Sequence, residues 1–77
     1  MKRYIRFFES VNREQQIYRA IDWAKAIPTT NRKAFSFMLY LVDADFERED
    51  IITLAIEHFK LHRSVAEAIY KQVEHVK

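Results

Sequence analysis

The sequence predicts an all-α protein, a compact four-helix domain with an additional N-terminal segment, and three observations carry that prediction. Among the 77 residues there is no glycine and one proline, Pro28, so the primed turns that β-hairpins favour are costly throughout. Apolar residues recur at three- and four-residue spacing over most of the length, the period of an amphipathic helix. Residues 34–42, AFSFMLYLV, are apolar or aromatic at every position but Ser36. That is more than one face of a surface helix requires, so this stretch reads as a central helix covered on several sides. It is far short of the roughly 20 residues that cross a bilayer.

A chain of this size makes one domain, 1–77, and buries only about 60% of the surface its unfolded form exposes. A hydrophobic content of 49% and an aromatic content of 14% offset that disadvantage, because a few large rings supply much of the buried area. The absence of cysteine removes disulfides and sulfur-based zinc sites and suits a reducing cytoplasm. The opening MKRYIRFFES has neither the unbroken apolar core nor the cleavage site of a signal peptide, since Arg6 and Glu9 interrupt it. A soluble, cytoplasmic protein without a membrane partner is expected.

Residues 1–11 leave two conformations open. Tyr4, Ile5, Phe8 and Val11 have helical spacing, while Tyr4, Arg6 and Phe8 against Ile5 and Phe7 alternate as in a strand. Basic and aromatic residues interleave here, a pattern that suits either a stacking platform for single-stranded nucleic acid or a segment docking its rings on a small core. The first well-marked helix is 12–27. Asn12 is a favourable N-cap with Gln15 three residues on, and Ile17, Ala20, Ile21, Ala24 and Ile27 form its stripe, bordered by Tyr18 and Trp23. Pro28 disfavours helix at Ile27.

The central helix is expected over 32–42, with Phe35, Met38, Leu39 and Val42 as the inner stripe and Ala34, Phe37 and Leu41 as a second beside it. Asp45 then offers an N-cap for a helix over 46–59, whose stripe is Ile52, Ala55, Ile56 and Phe59. Glu47, Glu49 and Asp50 fall in its first turn, where the helix dipole favours negative charge. The last helix is expected over 64–76. Ser64 and Glu67 form a capping box, and Ala66, Ile69, Val73 and Val76 make the inner stripe, widened by Val65.

Charge is unevenly spread. Five acids against Arg48 put −4 between Asp43 and Asp50, so a net charge of +2 leaves +6 on the remainder. Such a distribution suggests a polarised surface with one side suited to phosphates or acidic partners. Asp43 and Asp45 superficially match the opening of an EF-hand loop, but Arg48 occupies its glycine position and Leu54 its closing glutamate, which rejects calcium. His58 and His62 straddle a turn and supply at most half a tetrahedral shell. The three serines show no local arrangement with a base. Neither an enzyme, a metal site nor a cofactor is expected.

The chemistry that remains lies in the last two helices. Phe59 ends the first, Lys60 occupies the turn, Leu61 is placed to pack beneath it, and Ala66 and Ile69 follow at the spacing of inward contacts. Over residues 51–73 this arrangement resembles the generic helix-turn-helix of DNA-binding domains, with two departures. Lys60 stands where the motif favours glycine, and Ile56 stands where a small residue is usual. The resemblance implies that the last helix enters a major groove and reads bases from its N-terminal end. Lys60, Arg63 and Lys71 are the expected phosphate contacts, and His62, Ser64 and Gln72 the expected hydrogen-bonding groups. Glu67 and Glu74 lie among them, and Glu67 with Lys71 also makes an ordinary i,i+4 surface pair.

Two functions therefore stand side by side. One is a small non-enzymatic DNA-binding regulator, acting as a homodimer because a single short recognition helix seldom binds tightly. The alternative is a protein-interaction module, an inhibitor or adaptor of a larger regulator, that presents Tyr4, Phe7, Phe8, Trp23 and Tyr70 as interface anchors.

Overall fold

The computed structural model describes residues 2–76, with side chains described from Arg13 to Val76. Its elements are four helices, α1 (Lys2–Lys25), α2 (Thr30–Asp43), α3 (Arg48–Phe59) and α4 (Arg63–Val76), with no strand among the described residues. The all-α fold matches expectation. The N-terminal segment does not stand apart: helix runs unbroken from Lys2 through Asn12, so Asn12 is interior and caps nothing. Nothing in 1–11 forces a break, since the stretch lacks glycine and proline. A cap residue in such surroundings is tolerated at modest cost in propensity.

The central position of α2 is clear from its neighbours. It packs against each of the other three helices, α3 also packs on α4, and the α1 backbone approaches α2 alone among the described helices. Residues 26–29 turn the chain back between α1 and α2. At 1.5 Å per residue α1 is about 36 Å long and α2 about 21 Å, so α1 outruns the helix that supports it. The whole measures 40 × 23 × 21 Å, its long dimension close to the length of α1.

The deepest stripe of α2 is Ala34, Phe37, Met38 and Leu41, all fully buried. This corrects the expected stripe, of which only Met38 is fully buried while Phe35, Leu39 and Val42 pack at the margin. A helix apolar on nearly every side carries two overlapping stripes, and only the placement of its neighbours selects the deeper one. Ile51, Ile52 and Ala55 of α3 and Ala66, Ile69, Tyr70 and Val73 of α4 complete the interior, with Ala20 and Ala24 from α1. Val76, expected in the α4 stripe, is 64% exposed at the last position of that helix.

Among the described residues two non-glycine residues take left-handed backbone angles, and both sit at helix ends. Ala44 is the C-cap of α2, and the next residue, Asp45, has φ 64°. The Asp45 amide donates to the Val42 carbonyl and the Phe46 amide to the Leu41 carbonyl, each at 3.0 Å, the paired bonds of a Schellman ending. Asp45 therefore terminates α2 and does not cap α3, whose N-cap is Glu47. Lys60 ends α3 with φ 53° and ψ 49°, the conformation that usually selects glycine.

Candidate nucleic-acid interface

The joint between α3 and α4 is built from the left-handed turn at Lys60. Only Lys60, Leu61 and His62 separate the helices. Phe59 packs its ring edge-on against Phe37 with centroids 5.2 Å apart, and Leu61, Ala66 and Ile69 all join the core. The four apolar residues singled out by their spacing thus all lie in the core or packed against it. The Ile56 side chain is only half-buried, so its bulk is accommodated at the margin.

Helix α4 begins one residue earlier than expected. Its first turn closes with the Ala66 amide donating to the His62 carbonyl at 3.0 Å, so Ser64 lies inside the helix and the capping box does not form. Glu67 is committed elsewhere: Arg63 donates to it at 3.2 Å and to Glu49 at 2.7 Å. Arg48 also donates to Glu49, at 3.0 Å. Donation from Arg63, reinforced by its charge, holds the Glu49 carboxyl below its ordinary range. The same hydrogen bond holds the Arg63 guanidinium above its usual value. Arg63 is exposed but already faces two carboxylates.

The other expected DNA contacts are distributed differently. Lys60, His62, Ser64, Lys71 and Gln72 are exposed, and neither Lys60 nor Lys71 has an ion pair among the described residues. Ser64, Ala68, Lys71 and His75 follow one another at four- and three-residue steps along the solvent side of α4, opposite the buried Ala66, Ile69, Tyr70 and Val73. Ser64 and Gln72 also border an open groove of about 520 Å³ between α4 and the start of α2. Phe35, Val65 and Ile69 form its apolar lining, and Arg32 lies on the α2 side. Arg32 belongs with Lys33 to a basic turn visible in the sequence, but only the fold brings it to the groove that Ser64 and Gln72 line.

The aromatic residues named as interface anchors separate too. Tyr70 is 8% exposed and lies under the Arg48 guanidinium, 5.7 Å from the ring centroid, so it is a core residue and not an anchor. The expected inner stripe does not include it, although its four- and three-residue steps from Ala66 and to Val73 put it on the same face of α4. Trp23 is 65% exposed and lies beside Tyr40 with centroids 6.3 Å apart; Tyr18 is 66% exposed. The side chains of Tyr4, Phe7 and Phe8 lie outside the described ones.

Among the described residues no group of three or more histidines, cysteines or carboxylates is placed to hold a metal ion, and no helix is long and apolar enough to cross a membrane. No family model matches the chain, and neither a curated protein nor a solved structure matches it.

Proposed function

We propose that this protein is a small DNA-binding regulator that uses α3 and α4 as a helix-turn-helix, with α4 as the helix that enters the major groove. The observation that carries this reading is the turn itself. Lys60 adopts the left-handed angle that the motif normally assigns to glycine, which keeps the connection to three residues, and Ser64, Lys71 and Gln72 are exposed on α4. Lys60 and Lys71 contact phosphates, and Ser64, Gln72 and His62 hydrogen-bond to bases or backbone. A homodimer would present two such helices to one duplex.

Titration of a labelled mixed-sequence duplex at low salt tests this directly. Binding is expected to weaken steeply with salt, and Lys71→Gln should reduce the slope of log K against log salt by roughly 0.9. No affinity at low salt would end the proposal.

The second reading, a protein-interaction module, draws on Trp23 and Tyr18, both about two-thirds exposed and of the types that anchor interfaces. Recovery of one stoichiometric protein partner, resistant to nuclease and lost in Trp23→Ala, would favour it over DNA.

A further inference from the structure

Resting on the DNA-binding reading, we infer that the nucleic-acid surface extends beyond the C-terminal pair to the start of α2, and that Arg32, not Arg63, is the arginine that grips the phosphate backbone. Two observations lead there. Arg63 is held between Glu49 at 2.7 Å and Glu67 at 3.2 Å, so a phosphate approaching it meets two carboxylates already bound to the same guanidinium. Arg32 has no ion pair among the described residues, is exposed, and lines the same groove as Ser64 and Gln72 of α4.

A guanidinium is the side chain best fitted to two oxygens of one phosphate, through paired parallel N–H donors. Ser64 and Gln72 on the opposite wall supply neutral donors that do not repel it. The groove thus offers one cation and two hydrogen-bonding groups from two different helices. An α4 seated in a major groove needs contacts of this kind to set its register on the duplex, because backbone contacts orient a protein while base contacts specify sequence. The apolar lining of Phe35, Val65 and Ile69 suits the deoxyribose that flanks each phosphate.

The test measures binding of the full chain to a fluorescein-labelled duplex of mixed sequence across a salt series, for wild type, Arg32→Gln, Arg63→Gln and Lys71→Gln. Arg32→Gln is expected to weaken binding about tenfold, the scale of a lost charged hydrogen bond, and to lower the salt slope by roughly 0.9. Arg63→Gln should leave the slope unchanged. Circular dichroism checks that Arg32→Gln keeps its helix content, and Arg32→Lys, which retains charge without the fork, should recover the slope but not the full affinity. If wild type binds and Lys71→Gln responds while Arg32→Gln does not, the inference about Arg32 is wrong and the DNA reading survives. If Arg63→Gln lowers the slope and Arg32→Gln does not, the grip belongs to Arg63. Absence of any wild-type binding removes both.

Discussion

The side chains that the described part of α1, residues 13–25, gives to the interior and those that the other three helices give differ chiefly in size. Among the described side chains, α1 buries only Ala20 and Ala24 almost completely, flanked by the half-buried Ile17 and Ile21. The rest of the bundle fully buries Phe37, Met38, Leu41, Ile51, Ile52 and Val73. Each of those large side chains is worth about 1.5–3 kcal/mol on burial, whereas an alanine methyl removes little apolar surface from water. Beyond its contact with α2, α1 is fastened by Arg13, which pairs with Asp50 and lies over the Phe46 ring, 4.6 Å from its centroid. The lesson is that one bundle holds two grades of attachment. The trio α2, α3 and α4 interlocks through large side chains, while the described half of α1 lies against α2 with Ala20 and Ala24 innermost and Ile17 and Ile21 at the margin.

The largest effect is expected where the interlocking is densest. Phe37→Ala should cost about 3–5 kcal/mol in urea unfolding, a large part of what a small domain has, and a loss below roughly 1 kcal/mol would show that the trio is not the stable part. Ala24→Leu probes the other side. Overpacking there should cost about 1–3 kcal/mol, and hydrogen exchange should quicken in α1 while α3 and α4 keep their protection. Equal loss in all four helices would erase the distinction.

Smaller changes sharpen the picture within the trio. Lys60→Gly should stabilise by about 1 kcal/mol, because a side chain in the left-handed region carries a steric penalty that glycine avoids; destabilisation by that amount would mean the Lys60 stem is needed for packing. Glu49→Gln should have the least effect. The Glu49 carboxyl is held below its ordinary value of 4.5 by Arg63, so its contribution is complete above that value and is lost as pH falls through the lower folded value. The variant should therefore flatten the acid side of the stability profile and change little at neutral pH, since exposed ion pairs are weak. An unchanged acid limb would show that the pair does not persist in solution.

Much of the architecture could be read from local pattern, and the errors share a cause. Four helices, their order and the centrality of 34–42 followed from period and from the missing glycine. Cap assignment failed at Asn12, Ser64 and Asp45. A cap is a competition between local hydrogen bonds, and its winner depends on what the neighbouring side chain finds to bind. Glu67 had Arg63 on its own helix, and Asp45 could adopt a left-handed angle that ended α2 two residues before α3 needed a start. The apolar frame of the candidate site was legible to the same degree. Phe59, Leu61, Ala66 and Ile69 were found because their spacing is local. The capture of Arg63 by Glu49, fourteen residues away, and the arrival of Arg32 beside Gln72 are products of tertiary packing and leave no mark on the sequence.

The alanine strip of α1 has a mechanical meaning. Small residues at Ala20 and Ala24 let two helix backbones draw close with few interlocking knobs, only Ile17 and Ile21 flanking them, so the contact at that point resists separation more than it resists sliding. Shear between packed helices is one of the common ways that proteins move. A pull applied at the far end of this long rod would thus be felt as a shift of a lever on its bearing, with the other three helices unmoved. Paired spin labels on Lys25 and Lys33 should then give a broader distance distribution than a pair on Thr53 and Lys71, and equal widths would mean the rod is locked.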